Sequence, residues 1–445
     1  MRGGRANVGC AHRAKRRRCR RKSRTIMNTA DRADTARPFI AGTDTAELTS
    51  IVTGRTESLF AGDLAASSDR VLAKVRGRRI LVIGGAGSIG AATVRIILDY
   101  HPSALHVVDH NENYLAELVR ELRGRSAGIP DIDFRALPLD YGGPVMERFL
   151  TDARPYDIVL NFAALKHVRS EKDIYSVLQM FDTNIVRHVR FKRWLADHRH
   201  GASYFAVSTD KAANPVSLMG ASKRLMEDLI FDIAAASHQS TTSARFANVA
   251  FSNGSLLQGF GYRLAKRQPL AVPRDTRRYF ISHQEAGELC LLATCRIPDN
   301  HIAVPRVDTA LQLQLLEDIA CACLDHWGLR PERYLDEARA RNDVERLARE
   351  GRWPLLLTPL DTGGEKPFEE FVGAGESVTD CGLSKVSALR HIPCATAEQD
   401  LFEQIARWVE EPNLAIAKAK FVSTISDALP NFRHSESERN LDQRL

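Results

Sequence analysis

The chain has 445 residues, 44% of them hydrophobic, which is enough for a sizeable core and for more than one structural unit. Its formal charge of +7 is not spread along it: the first 26 residues hold 11 Lys or Arg and no acid, so the remainder carries −4. That distribution argues against a nucleic-acid-binding body, and neither a secretory signal nor a membrane span is expected, since no apolar run approaches roughly 18 residues.

In chain order, residues 1–27 are expected to form a basic, disordered extension, with an over-extended start favoured over an arm for nucleic acid or an anionic surface. Residues 28–75 contain TAELTSIV and DRVLAKV at helical spacing and predict a short helical leader packed on the main domain. From 76 to 245 the pattern is strand and helix in alternation. RRILVIGG, ALHVVDH, DIDFRALPLD, YDIVLNFAA and SYFAVST read as strands, with helices over MERFLTDA, from about Ile174 to His198, and from about Met219 to Ala236. This predicts an α/β fold, a doubly wound parallel sheet of Rossmann type, with ligands at the carboxyl ends of its strands. Residues 246–425 are looser and predict a smaller substrate-binding region, and 426–445 a flexible tail. The eight cysteines form no CxxC and no His cluster lies at zinc-like spacing, so reduced thiols, a cytoplasmic protein and no metal are expected.

Gly84, Gly87 and Gly90 form GxxGxxG between the first strand and its helix, where glycine permits a tight turn and close approach of a diphosphate to backbone N–H groups. Ser88 and Ile89 belong to the same loop. Asp109, at the tip of the next strand, lies 19 residues beyond Gly90, near the interval at which an acid accepts the adenosine ribose hydroxyls. No Arg follows it in DHNEN, which favours NAD over NADP. Asp140 is an adenine contact or a solvated loop acid, and Ala163, in NFAA, falls where the fourth strand would meet the cofactor.

The strand SYFAVST delivers Thr209, Asp210 and Lys211 towards that cofactor, and Lys223 stands four residues beyond Met219 on one helical face. Lys223 suits the nicotinamide ribose. A surface ion pair is the bland alternative for Asp210 and Lys211. STDKAANP, AALKHV (Ala163 to Val168), GGAGSIG and RRYF (Arg277 to Phe280) resemble the polysaccharide-biosynthesis (CapD-like) nucleotide-sugar 4,6-dehydratases, a branch of the extended short-chain dehydrogenase/reductase superfamily. The resemblance runs from about Arg79 to Ala293 and resumes weakly at GGEKPFEEF (Gly363 to Phe371).

It implies conversion of UDP- or GDP-linked N-acetylglucosamine to the 4-keto-6-deoxy sugar, with NAD reduced and reoxidised in each turnover. Under it Asp210 is the acid for the departing C6 hydroxyl, Lys211 the base at C5 and Thr209 a donor at O4. Lys211 must then be partly neutral, which an apolar pocket or the Lys223 charge is expected to arrange. Arg278 and Asn248 would hold the substrate diphosphate, and Lys166 and His167 would line the sugar. A homo-oligomer is implied as well. Met219 stands where the wider superfamily has its tyrosine base; a thioether cannot take the C4 hydroxyl proton, so Lys211 or a water relay through Thr209 would do so. The Met-bearing subgroup implies retention at C5. A nucleotide-sugar 4-epimerase and a non-catalytic NAD-binding scaffold are the competing functions.

Overall fold

The computed structural model describes residues 45–167, 171–237, 239–308, 310–361, 364–391, 397–429 and 431–434. The expected basic extension lies outside them. Short apolar runs give strands β1 (Arg79–Ile83), β2 (Ala104–Val108), β3 (Asp133–Leu137), β4 (Ile158–Asn161), β5 (Ser203–Thr209) and β6 (Ser240–Phe246). β2 and β4 are buried along their whole length and β1 nearly so, as strands covered by helices on both faces must be.

These six strands are parallel, in the spatial order 3-2-1-4-5-6. His301–Pro305 continues the sheet parallel to β6, and Val386–Arg390 and Val378–Thr379 finish it antiparallel. The strand order reverses between β1 and β4, which opens the crevice at their carboxyl ends where open α/β sheets bind ligands. The doubly wound sheet is as expected.

Although residues 246–425 build a second apolar cluster around Phe260, Leu270, Leu324 and Trp353, three of their strands return to the main sheet. The helix His283–Arg296 packs on the glycine-loop helix Ser88–Leu98 so closely that a Cβ on Gly287 would lie 2.9 Å from the Ala92 carbonyl carbon. The leader is divided too: Leu48 and Val52 join the second cluster, whereas Phe60, Val71 and Val75 join the main core. Of the expected tail, Leu429 and Phe432 are buried against the helix Leu218–Ser237 and its neighbours. Apolar residues placed far apart in the sequence found partners that local periodicity could not name.

One further departure bears on the site. The helix expected from about Ile174 to His198 contains a π-turn over Asp182–Val186. Asn184 lies within that turn. Its side chain accepts from Leu165 N at 2.8 Å and donates to Leu165 O at 2.9 Å and to Ser222 Oγ at 3.0 Å, tying the loop after β4 to the helix that carries Met219 and Lys223.

A buried ion cluster fastens a distant segment onto the sheet. Arg245, near the end of β6, is fully buried and forks onto Glu227 at 2.9 and 2.7 Å and onto Glu376 at 2.5 and 2.7 Å. It also donates to Phe371 O at 2.9 Å, and Arg224 pairs with Glu376 from the other side. Burial would raise the Glu376 carboxyl, but the Arg245 guanidinium outweighs it and holds that group at about 2. A depressed carboxyl contributes stability that is full above its unfolded value, about 4.3, and is lost as pH falls towards 2. Arg245→Met is expected to cost about 3–5 kcal/mol in urea unfolding, because it leaves Glu227 buried and unpaired. The stability difference between wild type and Glu376→Gln is expected to shrink below about pH 4 in the same assay.

Candidate active site

The glycine loop leaves β1 at Gly84, whose φ of +67° is a left-handed conformation that glycine adopts freely. A Cβ there would sit 2.7 Å from Ala163 N, and one on Gly90 would sit 2.5 Å from Gly84 O. The loop and the end of β4 are therefore in backbone contact. Gly87 differs: a Cβ on it would meet only Gly84 O, at 3.4 Å, so its other side is open to the cleft. It caps the helix Ser88–Leu98 without a side-chain bond, leaving first-turn N–H groups for an anionic ligand. Asp109 sits beneath, 7% exposed, and accepts from Ala86 N at 3.1 Å and Asn111 N at 3.0 Å. These residues fit a dinucleotide diphosphate.

Asp140 stands apart. It pairs with Arg187 and accepts from Gly142 N at 3.0 Å, and like Asp109 and Ala163 it does not itself wall the cleft. Ala163 is fixed from below, where Asn161 Oδ1 accepts its N–H at 3.0 Å and Asn161 Nδ2 donates to Tyr204 Oη. Tyr204 Oη in turn shares a hydrogen bond of 2.6 Å with His188 Nε2, and burial, with the charges of Lys223 and Lys192, holds that imidazole well below the usual histidine value.

The cleft measures about 430 Å³, and its walls include Gly84, Gly87, Ser88, Ile89, Gly90, Lys166, His167, Thr209, Asp210, Lys211, Met219, Lys223 and Asn248. β5 ends at Thr209, and Asp210–Ala212 turn at once into a single 3-10 turn capped by the Thr209 hydroxyl. Thr209 Oγ1 donates to Asp210 Oδ1 at 2.8 Å and Lys211 Nζ donates to the same oxygen at 3.0 Å. Asp210 is 2% exposed, so the pair is no surface ion pair. Lys166 Nζ reaches Ser252 Oγ at 3.5 Å across the cleft mouth. An adjoining cleft of about 460 Å³, sharing Asn248, is walled in part by Arg278 and Arg263.

Two lysines behave oppositely, and one reverses the expectation. Burial alone would lower Lys211, but Asp210 and then Glu369 overcome it, and its ammonium is held above the ordinary lysine value. The expected neutral Lys211 is absent because carboxylates, not apolar walls, face Nζ. Lys223 has no such carboxylate in hydrogen-bond contact. Burial pushes it down to about 8, and its Nζ donates to Val207 O at 2.7 Å and contacts Met226 Sδ at 3.3 Å. Met219 lines the cleft on one side and packs among Leu218, Leu225 and residues of the helix Ala397–Glu410 on the other.

Sequence reasoning passed over Glu369, which lies 158 residues beyond Lys211 and approaches its Nζ at 3.5 Å. The only signal was the run GGEKPFEEF, and nothing in it says which acid turns inward. Among the described residues, Asp210 Oδ2, Ser208 Oγ and Glu369 Oε2 are buried without a hydrogen-bond partner. Also among the described residues, no cluster of three His, Cys, Asp or Glu could hold a metal ion, and no helix is long and apolar enough to cross a membrane.

A family model described as polysaccharide biosynthesis protein matches residues 80–390. The chain is 27% identical over 324 residues to the probable polysaccharide biosynthesis protein EpsC of Bacillus subtilis, covering 66% of this chain and 52% of that one. It thus spans about half the length of EpsC. It is 28% identical over 343 residues to a UDP-N-acetylglucosamine 4,6-dehydratase (inverting) of Campylobacter jejuni, covering 74% and 97%. Among solved structures it resembles Pen from Bacillus thuringiensis, with a TM-score of 0.57 and 19% identity over 75% of this chain and 98% of that one, a likeness of fold.

The loop geometry separates two glycine variants. Gly90→Ala is expected to lower the thermal midpoint by several degrees, since backbone must yield to its Cβ. Gly87→Ala is expected to leave the midpoint nearly unchanged while weakening dinucleotide binding, read by calorimetric titration.

Proposed function

The chain belongs to the polysaccharide biosynthesis protein family, and on that footing we propose that it is an NAD-dependent 4,6-dehydratase of a nucleotide-linked N-acetylglucosamine. The observation that carries the reading is the set of Thr209, Asp210 and Lys211 on the wall of the glycine-loop cleft, with Asp210 buried and both neighbours hydrogen-bonded to its Oδ1. An acid and a base on one short turn are what an elimination needs, and a binding scaffold has no use for them. The name of the Campylobacter jejuni relative supports the same chemistry.

NAD would lie with its diphosphate on Gly84 to Gly90, its adenosine ribose at Asp109 and its nicotinamide ribose at Lys223; when bound, it supplies a hydride acceptor and donor. Asn248 and Arg278, shared with or bordering the second cleft, would hold the substrate diphosphate, and Lys166 and His167 the sugar side of the cleft mouth. The proton of the C4 hydroxyl passes to Thr209 Oγ1 and on to Asp210 Oδ1, a route that needs no base at Met219. Asp210, now a carboxylic acid, protonates the departing C6 hydroxyl, while the Lys211 amine removes the C5 proton. Water leaves, Lys211 returns its proton to C5, and Asp210 ends as the carboxylate it began as.

Purified full-length protein given UDP- or GDP-N-acetylglucosamine is expected to release a dehydrated 4-keto product without consuming added NAD, as read by mass spectrometry. No dehydrated product from either donor would sink the proposal. NMR of the product formed in deuterated water then reports the C5 configuration: retention follows from the Met219 expectation, inversion from the name of the relative. Asp210→Asn is expected to cut dehydration by about 10²–10⁴-fold. An epimerase returns the hydride to C4 and releases no water, so a product of unchanged mass in place of the dehydrated one would favour that reading.

A further inference from the structure

The dehydration chemistry asks for a neutral amine at Lys211, yet in the structure Lys211 is an ammonium facing Asp210 at 3.0 Å and Glu369 at 3.5 Å. Asp210 cannot relieve it. If the C4 proton arrives at Asp210 through Thr209, that carboxyl is filled and its proton is committed to the leaving hydroxyl. Glu369 is the other carboxylate in contact with Nζ among the described residues. Its side chain is 2% exposed, its Oε1 is the oxygen that Lys211 Nζ approaches, and its Oε2 is buried with no hydrogen-bond partner, so the carboxylate is not saturated by other donors.

Its placement is enforced. The segment bearing Glu369 is clamped to the catalytic turn from both sides: Lys366 Nζ donates to Asn214 O, while Asn214 Nδ2 donates to Glu370 at 3.0 Å and Asn214 Oδ1 accepts from Ala374 N at 3.0 Å. Gly373 passes so close that a Cβ there would lie 2.2 Å from Ala213 O. Beyond it the Arg245 cluster holds Phe371 O and Glu376. The remaining cations facing the carboxylate, Arg278 and Lys366, are both 3.9 Å away, too far to claim its oxygens by hydrogen bonding.

We propose that Glu369 is the third proton-handling group of the site, taking a proton from Lys211 Nζ so that the amine is free to act at C5. This deepens the dehydratase reading and rests on it. The balance closes without solvent. Lys211 gives a proton to Glu369, and the C4 hydroxyl gives one to Asp210 through Thr209. Lys211 removes the C5 proton as Asp210 protonates the leaving hydroxyl, forming water. Lys211 then returns a proton to C5 and recovers its own from Glu369. Each group finishes in its starting state. Glu369 is not placed against the substrate, so it is a positioning and proton-holding residue.

The test uses the full-length protein and four forms: wild type, E369Q, E369D and E370Q, the last removing a charge from the same segment while its amide oxygen still accepts from Asn214 Nδ2. Two quantities are read. One is the pH midpoint of Lys211, from competitive acetylation with acetic anhydride and peptide mass spectrometry. The other is kcat for dehydration against pH. E369Q is expected to lower the Lys211 midpoint by about one pH unit, since it removes an opposing charge while Arg278 and Asp210 stay. Its kcat is expected to rise by about tenfold per pH unit below that midpoint, because Lys211 must now lose its proton to solvent, whereas wild-type kcat is flat over the same range. E369D, with the charge drawn back by a methylene, is expected to fall between the two; if E369Q does not fold, E369D decides by the direction of its midpoint. E370Q is expected to leave the midpoint in place. An E369Q kcat reduced equally at every pH with an unmoved midpoint overturns the proposal, as does an equal shift in E370Q. Should wild type dehydrate no nucleotide sugar, the dehydratase reading fails, and an unmoved acetylation midpoint in E369Q separately refutes the link to Lys211.

Discussion

The Arg245 guanidinium is the point on which the cleft geometry hangs. A buried cation of this kind is tolerable only if every donor finds an acceptor, and Arg245 finds Glu227 on the helix behind it, Glu376 on the distant segment and the Phe371 carbonyl. Its fork geometry fixes two carboxylates at once. The cluster holds the segment from 364 to 376 in place beside the Asp210–Ala212 turn. Without that placement no acid would stand beside Lys211 from outside its own turn.

The electrostatics of the catalytic corner follow. Lys211 and Lys223 are both sheltered lysines on neighbouring elements, yet one is held charged and the other is pushed down to about 8. What separates them is the acids each one meets. Lys211 meets two carboxylates, and Lys223 meets a main-chain carbonyl and a thioether. Burial alone would have driven both the same way. Under the proposed reading, Lys223 would serve a ribose and Lys211 would exchange protons with the carboxylates it meets.

Met219 takes a different meaning in this setting. Where a tyrosine hydroxyl would stand, a thioether fills the space between the cleft and the helices at the carboxyl end of the chain. The proposed proton route needs no tyrosine, since Thr209 Oγ1 donates to Asp210 Oδ1 at 2.8 Å one element away. Asn184, within the π-turn, ties Leu165 to Ser222 through its side-chain amide.

The parallel sheet, the glycine loop and the grouping of Thr209, Asp210, Lys211 and Lys223 were legible in the residues themselves. Periodicity, glycine spacing and strand-end position are local properties, and they act through backbone sterics and side-chain alternation within one βα unit. The charge state of Lys211, the inward turn of Glu369 and the return of three late strands to the first sheet are not local. They depend on which groups meet across more than 100 residues of chain, and a pKa is set by such neighbours and not by the residue that bears it. The amino-acid order fixed which chemistry could be present; the packing of the segment from 364 to 376 onto the catalytic turn, held by Arg245, decided which protons that chemistry has at hand.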